Sequence, residues 1–461
     1  MHFSLLASAF LASLSLIEAS PLLEKDEIVE VVEVVYDCPK IKPKIFIISM
    51  VRCPHFPASI YFNSLQFLYE ADIWYANDKS PGSIGDLLAQ NITVPGFSPL
   101  YPNAHCLADG SVCQLTTGES EINAAVTISS LVASGLFDLT TTYFMIAGIA
   151  GINPKHGTLG DVAFCKYAVQ VALQYEFDAR EIPANFSTGY VPQGSTYPGE
   201  YPQSIYGTEV FEVNENLRDI AASLASTALP FNDSTTAMAY RANYKSDNIY
   251  TAATRAPGII KCDVATSDVY YSGVLLGEAF ENTTTLFTNG SGVYCMTAQE
   301  DNATLEALLR AAINGLVDFS RIIVMRTASD FDRPYPGESD LDNLFYDDQG
   351  GFEPALQNIY IAGLPIVKAV LSDWETGRNF SRGFKPGNYI GDIFGSLGGT
   401  PDFGPGSITG GKPVNLSTVG ITRRSLYSKE MGLNGVEKRM NTKGMLGAEM
   451  ARRAQLNGEV E

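Results

Sequence analysis

The chain has 461 residues, enough for one large domain or two ordinary ones with a sizeable hydrophobic core. Its formal net charge of −20 and its sequence pI near 4.6 argue against nucleic acid or an anionic membrane surface as a partner, because both repel an acidic protein. Only four histidines are present and no C-x-x-C motif occurs, so we expect no metal site.

Residues 1–19 have the composition of a secretory signal peptide. The apolar stretch Leu5 to Ile17 is followed by small residues that favour cleavage near Ala19. Residues 20–42 are acidic and valine-rich, and we interpret them as a pro-segment or linker. No other segment reaches the ~18 apolar residues of a membrane span, so we expect a protein of the cell exterior, secreted or held at the cell surface or in the periplasmic space, without a transmembrane helix.

Two further features suit an exported protein. Cys106 and Cys113 flank a turn signal at 108–110 and are predicted to form a disulfide; Cys262 and Cys295 are a second candidate pair. Eight N-x-S/T sequons indicate a glycoprotein, with Asn302 expected to be buried and unmodified beside an acidic run. The sequons begin at Asn91, Asn185, Asn232, Asn282, Asn289, Asn302, Asn379 and Asn415.

The hydrophobic pattern along the rest of the chain predicts alternating strands and helices of an α/β protein. Buried strands are predicted at Ile45–Met50, Tyr143–Ile146, Val293–Met296 and Arg321–Arg326, and helices at Glu121–Ser134, Glu300–Gly315 and Phe352–Trp374.

The stretch Tyr143 to Phe164 is the most informative. Its apolar run is predicted to end in a small-residue turn at 148–151, followed by a loop and by a second apolar run after Gly160-Asp161. A strand that ends in small residues allows a ligand to approach the carboxyl edge of an α/β sheet, although glycines at strand ends also serve packing alone.

Three blocks in chain order resemble the nucleoside phosphorylase and nucleosidase superfamily: LTTGESEINAA at 115–125, AGIAGINP…LGD at 147–161 and IIVMRTASD at 322–330. Within it the chain is most similar to the fungal purine nucleoside permease family, whose stretches stand here as QLTTGESEINAA, ALQYEFDAREIP, YCMTAQEDNATLEALLR and MRTASDFDRP. The resemblance covers about residues 43–406. It implies an α/β, three-layer αβα nucleoside-phosphorylase-like fold with a central mixed sheet.

Two segments depart from the family. The family passes almost directly from its first strand to the stretch that begins here at Glu70, so we interpret residues 51–69 as an atypical insertion, either a retained intron or a lineage-specific loop. Residues 407–461 lie beyond the family's end and turn polar and basic, which predicts a disordered tail.

Asp330 is the candidate proton donor. The resemblance implies that this aspartate, after the closing strand, protonates N7 of the purine so that the base can depart. A helix N-cap is the structural alternative.

Glu300 matches the position at which the superfamily grips the ribose hydroxyls, and Gln299 or Asp301 are alternatives because the local spacing departs from the family's. The acidic run also suits the first turn of a helix. Gly148, Ala150 and Gly151 are expected to line the base.

Glu70 matches the glutamate that activates water in the hydrolytic nucleosidases. Thr117 and Gly118 occupy the anion loop of the phosphorolytic ones, but Glu119 and Glu121 follow and would repel phosphate. We therefore favour hydrolysis, expect no cofactor, and leave phosphate open as a co-substrate.

The resemblance implies a protein that binds purine nucleosides outside the plasma membrane and cleaves their N-glycosidic bond. The alternative is a non-catalytic binding component of nucleoside transport, which would act with a membrane transporter as its partner. A homo-oligomer is also open, since sites in the superfamily are often completed across subunits.

Overall fold

The structure is a computed structural model that describes residues 40–51, 69–377, 379–392, 395 and 397–398. The predicted signal peptide (1–19), most of the proposed linker and insertion, and the predicted tail (407–461) lie outside the described residues.

Twelve strands are formed by the described residues: β1 Ile45–Ser49, β2 Gln90–Thr93, β3 Asn103–Cys106, β4 Val112–Thr116, β5 Tyr143–Ile152, β6 Val162–Gln170, β7 Gln174–Glu176, β8 Tyr190–Pro192, β9 Val210–Glu212, β10 Ile259–Thr266, β11 Tyr294–Ala298 and β12 Ile322–Phe331. The helices of the same residues are α1 Asp72–Ala76, α2 Glu121–Ala133, α3 Glu215–Ser226, α4 Thr235–Arg241, α5 Val274–Phe287, α6 Asp301–Ile313, α7 Asp340–Phe345, α8 Phe352–Thr376 and α9 Asn379–Arg382. Short 3₁₀ turns lie at Leu87–Ala89, Ala242–Ser246, Asn248–Thr254 and Phe319–Arg321.

Ten strands form one mixed sheet in the order β11-β10-β6-β12-β5-β1-β4-β3-β2, with β9 paired to β6. The pairs of β5 with β1 and β12 are parallel, whereas β12 runs antiparallel to β6. β11 also pairs with β5, which closes one end of the sheet on itself. The predicted α/β architecture with a central mixed sheet is confirmed.

Helices cover both faces of this sheet and make three layers. Successive residues of β1 belong to different cores: Phe46 and Ile48 pack on the side of α2 and α6, whereas Ile45 and Ile47 pack on the side of α1, α3 and α8. All four are fully buried, as expected for a central strand covered on both faces. Each such side chain stabilises the fold by roughly 2 kcal/mol.

The turn predicted at 148–151 is wrong, because β5 continues through these residues to Ile152. Gly148 pairs with Arg326 of β12, and Gly151 pairs with Thr297 of β11. A Cβ added at Gly148 would lie 2.6 Å from Met50 Sδ, 2.7 Å from Glu70 Oε1 and 2.8 Å from an Arg326 nitrogen. The small residue makes room for neighbouring side chains rather than bending the chain.

Both predicted disulfides are present. Cys106 of β3 lies opposite Cys113 of β4, and their sulfurs are bonded at 1.98 Å; Cys262 and Cys295 join β10 to β11. Asn302 is buried as predicted, and its amide donates to the Thr208 carbonyl at 2.8 Å. The other sequon asparagines in the described residues are exposed: Asn91, Asn185, Asn232, Asn282, Asn289 and Asn379.

One helix among the described residues, α8, is long and apolar enough to cross a membrane by length and composition alone, although the sequence predicted no such segment. Its inner side packs on β5 and β12, where Leu356, Ile359 and Val367 are buried in the core. The same apolar length therefore serves here as a core helix.

Candidate active site

A cleft of about 610 Å³ lies where β1, β5, β10, β11 and β12 end. In an α/β sheet this carboxyl edge is the usual place for a ligand, because the loops that leave the strands diverge there. Residues near or after the strand ends line it: Met50, Ile149, Ala150, Gly151, Ser267, Tyr270, Thr297, Gln299, Glu300, Ser329 and Asp330.

Asp330 presents a carboxyl group to this cleft from the next-to-last position of β12. Its Oδ1 accepts a hydrogen bond from Ser329 Oγ at 2.5 Å, and its Oδ2 accepts one from the Tyr270 hydroxyl at 2.8 Å. Burial raises the pKa of Asp330 above its ordinary value, while these two hydrogen bonds oppose the rise. Asp330 therefore lies within a strand, and the alternative of a helix N-cap is wrong.

Glu300 and Asp301 share one buried partner, Arg326. The Arg326 guanidinium donates from Nη2 to Asp301 Oδ2 at 2.6 Å and to Glu300 Oε2 at 3.1 Å. It also donates from Nε to Asp301 at 3.3 Å and from Nη1 to the Ile149 carbonyl at 3.1 Å. Since this arginine is only 1% exposed, it is neutralised in place and is not available to an incoming anion.

The N-terminus of α2 opens onto the same cleft. A helix N-terminus ordinarily attracts anions, because its first N–H groups lack partners within the helix. Here the Ser120 N–H donates to Glu300 Oε1 at 3.0 Å, and the Glu121 N–H donates to Asp268 Oδ1 at 2.9 Å. The chain's own carboxylates therefore occupy the place of an anion at the start of this 13-residue helix.

Glu70 lies beneath the floor of the cleft. Its Oε2 accepts from the backbone N–H groups of Met50 at 2.6 Å and Val51 at 3.2 Å, and its Oε1 accepts from that of Ile149 at 2.7 Å. Burial raises the pKa of Glu70 from 4.5 to about 7, although the positive charge of Arg326 and the backbone hydrogen bonds oppose this. The carboxyl group joins the ends of β1 and β5 and titrates near neutrality.

The predicted site residues divide into two groups. Those that line the cleft are Ala150, Gly151, Gln299, Glu300 and Asp330; those behind its wall are Glu70, Thr117, Gly118, Gly148 and Asp301. Thr117 is fully buried, and its hydroxyl donates to the Gly118 carbonyl at 2.8 Å. Gln299 is held to the loop after β10 by its amide, which donates to the Asp268 carbonyl at 3.1 Å.

Tyr270 is the main cleft residue that the sequence did not indicate. It belongs to the segment between β10 and α5, and its side chain is 64% exposed although its hydroxyl meets Asp330. The run Ser267 to Ser272, polar and aromatic directly after a buried strand, was the available signal.

The cleft is strongly acidic. Five carboxylate residues line it, and none of its described lining residues is Lys, Arg or His. The acids are Glu119, Glu300, Asp330, Asp347 and Asp348. The acidic surroundings also act on Glu121 nearby: burial, and after it the negative charges of Asp268 and Glu300, raise the pKa of Glu121 to about 7. Within the described residues, no group of three or more His, Cys, Asp or Glu has the arrangement of a metal site.

A family model and the similar curated proteins described below all point to the purine nucleoside permeases. The family model for the purine nucleoside permeases (NUP) matches residues 42–384. A purine nucleoside permease of Candida albicans is 45% identical over 369 residues, which is 79% of this chain and 83% of that protein. A Schizosaccharomyces pombe protein described as a "Probable purine nucleoside permease" is 38% identical, over 72% of this chain and 90% of its own.

Among solved structures, the 5′-methylthioadenosine/S-adenosylhomocysteine nucleosidase of Neisseria meningitidis is similar, with a TM-score of 0.37 and 14% identity, over 71% of this chain and 99% of its own. The futalosine hydrolase of Helicobacter pylori is similar with a TM-score of 0.39 and 11% identity, over 72% and 98% of the two chains. At these TM-scores the likeness carries no inference about activity.

Proposed function

Since this chain belongs to the purine nucleoside permease family, we propose that its acidic cleft binds purine nucleosides and cleaves their N-glycosidic bond by hydrolysis. The observation that supports cleavage is Asp330, a half-buried carboxyl group with a raised pKa at the carboxyl edge of the sheet. Binding alone does not require a proton donor there.

In the proposed reaction Asp330 donates its proton to N7 of the purine. The electron pair of the bond between C1′ and N9 then moves onto the base, which leaves as a neutral purine. The oxygen of a water molecule bonds to C1′, and that water gives up one proton. Glu70 is the proposed acceptor of this proton, because its pKa of about 7 suits a base near neutrality and its Oε1 accepts only one backbone hydrogen bond. Since Glu70 lies behind the cleft wall, this role requires the water to reach it between Met50 and Ile149, which line the cleft and donate to its two oxygens.

Hydrolysis is favoured over phosphorolysis by the groups around α2. Phosphorolysis needs an anion pocket, yet Glu300 and Asp268 already accept from the Ser120 and Glu121 N–H groups. Arg326, which binds Glu300 from below, is fully engaged by carboxylates and a carbonyl. Among the described residues, a phosphate ion entering here would face carboxylates without a free cation, which argues for water as the acceptor.

Glu300 is the proposed clamp for the ribose hydroxyls. It lines the cleft, and each of its oxygens accepts one hydrogen bond, from the Ser120 N–H and from Arg326. Since each carboxylate oxygen has a second lone pair, the group retains capacity for two hydroxyl donors. Asp301 is fully buried against Arg326, so we assign it the role of fixing that arginine.

The family's name favours a second function, in which the chain is a non-catalytic nucleoside-binding component of transport. It would then deliver nucleosides to a membrane transporter at the cell exterior, where the proposed signal peptide and exposed sequons suit export and glycosylation. A homo-oligomer remains compatible with either function.

The test is to incubate the purified, secreted protein with adenosine and inosine, with and without phosphate. Hydrolysis predicts equal release of base in both conditions, with free ribose as the second product. Release only with phosphate, together with ribose 1-phosphate, would overturn the interpretation of the α2 N-terminus. Saturable binding without release would leave the transport component.

A matched pair of variants separates proton donation by Asp330 from the loss of one negative charge anywhere on the protein. Asp330→Asn keeps the shape of the side chain but has no acidic proton, so base release should fall by at least 10²-fold, a typical share for general acid catalysis. Asp178→Asn makes the same change in an exposed ion pair with Arg180 outside the cleft and should leave release unchanged. Equal activity of both variants would exclude Asp330 as the acid.

A further inference from the structure

The carboxyl group of Asp330 has both oxygens occupied by protein donors. Ser329 Oγ approaches Oδ1 at 2.5 Å, and the Tyr270 hydroxyl approaches Oδ2 at 2.8 Å. A proton donor to a purine must present one of these oxygens to the base. Because Tyr270 lines the same cleft, its hydroxyl and an entering N7 approach Asp330 from the same side and compete for one oxygen.

The two partners differ in how firmly they are held. Ser329 is 8% exposed, lies in β12, and its hydroxyl also contacts the Ala150 carbonyl at 3.1 Å. When Oδ2 carries the proton that passes to N7, Ser329 can continue to donate to Oδ1. Tyr270, in contrast, lies in the segment after β10, and 64% of its surface is exposed. Its hydroxyl donates to Asp330.

We propose that Tyr270 is a positioning residue for Asp330: its hydroxyl holds Oδ2 until a purine arrives and then yields that oxygen to N7. This inference rests on the proposed function for the identity of the ligand. It assigns a role to Tyr270 through Asp330 and not through contact with the reacting atoms.

The electrostatics agree with this role. The Tyr270 hydrogen bond stabilises the charged form of Asp330 and so lowers the pKa of that group, against the larger effect of burial. Desolvation of the hydroxyl end and the nearby negative charge of Asp330 raise the pKa of Tyr270, so the hydroxyl keeps its proton although the ring is exposed.

Among the described residues, the other charged groups that line the cleft around Asp330 are carboxylates. Asp332, directly after β12, raises the pKa of Asp330 and is itself ion-paired with Arg333 at 2.8 Å. Glu300 after β11, and Asp347 and Asp348 after α7, line the same cleft. A substitution at Tyr270 leaves these groups in place. A shift in the pKa of Asp330 in such a variant therefore reports the loss of the Tyr270 hydroxyl.

The experiment is a pH titration of the Asp330 carboxyl carbon by NMR, in the full-length secreted protein labelled with ¹³Cγ-aspartate and without nucleoside. The resonance is identified by its loss in Asp330→Asn. Tyr270→Phe keeps the ring and removes the hydroxyl, so the midpoint should move to higher pH. Tyr175→Phe removes a hydroxyl outside the cleft, which accepts a hydrogen bond from the Gly194 N–H at 3.3 Å, and should leave the midpoint in place.

Adenine binding by equilibrium dialysis tests the second half of the proposal, because adenine keeps N7 and has no glycosidic bond that the protein could cleave. Because Tyr270→Phe has no competing hydroxyl, its Kd for adenine should be lower than the wild type's by about fivefold. An unchanged titration midpoint, or an unchanged or weakened affinity, would overturn the role of Tyr270. If neither the wild type nor the variant binds adenine or releases it from adenosine, the proposed function fails, while the titration still decides whether Tyr270 controls Asp330.

Discussion

The buried carboxyl group of Glu70 makes the stability of this protein depend on pH in a predictable way. Burial raises its pKa from 4.5 to about 7. At 1.36 kcal/mol per pKa unit, this difference is equivalent to about 3 kcal/mol. The perturbation that isolates it is Glu70→Gln, which has nearly the same shape and does not titrate.

The sign follows from which state binds the proton more readily. The pKa of Glu70 in the folded protein lies above its ordinary value, so the folded state holds the proton more tightly. The stabilisation is complete below about pH 4.5 and is lost as the pH rises through about 7. Relative to Glu70→Gln, the wild type should lose up to about 3 kcal/mol over this range.

The assay is urea unfolding of both proteins, with disulfides intact, at several pH values between 4.5 and 8. Glu70→Gln should be the less stable protein at low pH. Both oxygens of Glu70 accept hydrogen bonds from backbone N–H groups, whereas the amide NH₂ of glutamine is a donor and cannot accept one of them. Asp161 and Asp263, with pKa values raised by burial to about 6, titrate in both proteins and cancel in the difference.

The control is Glu181→Gln, an exposed residue between β7 and β8, which should follow the wild type at every pH. A difference between wild type and Glu70→Gln that stays constant from pH 4.5 to 8 would refute the reasoning. It would mean that Glu70 is already ionised in the folded protein at the low end of the range.

Substitutions at three further positions, two of them with a control variant, test the packing around the cleft by urea unfolding. Ser120 has a φ of 79°, so Ser120→Gly should relieve strain and stabilise the fold by about 1 kcal/mol, whereas Ser120→Ala should not. Gly148→Ala should cost about 2 kcal/mol because its methyl would collide with Met50, Glu70 and Arg326, while Gly199→Ala, which meets no atom within 4 Å, should be neutral. Asp301→Asn should cost about 3 kcal/mol by leaving the buried Arg326 short of a counter-charge.

Much of the sheet could be predicted from hydrophobic runs. Ile45–Ser49 and Ile322–Phe331 are central strands buried on both faces, and each begins with four apolar residues. The glycines of β5 misled the prediction, because glycine marks a turn as often as it marks close packing. At Gly148 the glycine serves close packing, because the side chains of Glu70 and Arg326 lie against it. Both residues are distant from Gly148 in the sequence, so the local pattern could not indicate this contact.

The candidate site was predictable where local motifs mark its residues, and not where it depends on contacts between distant residues. Asp330 lies at the end of β12 and Glu300 just after β11, and both line the cleft at the edge of the sheet. The connection between Glu300 and the Ser120 N–H spans 180 residues, and that between Tyr270 and Asp330 spans 60, so neither has a local signature. The disulfides were predictable because cysteine has few alternative partners in a chain with a predicted signal peptide.

The most direct test of the central claim compares adenosine with 7-deazaadenosine, in which a C–H group replaces N7. The wild-type protein should release adenine from adenosine without phosphate and leave 7-deazaadenosine intact, while Asp330→Asn should cleave neither compound. Cleavage of 7-deazaadenosine at the rate of adenosine, or undiminished release by Asp330→Asn, would contradict proton donation from Asp330 to N7.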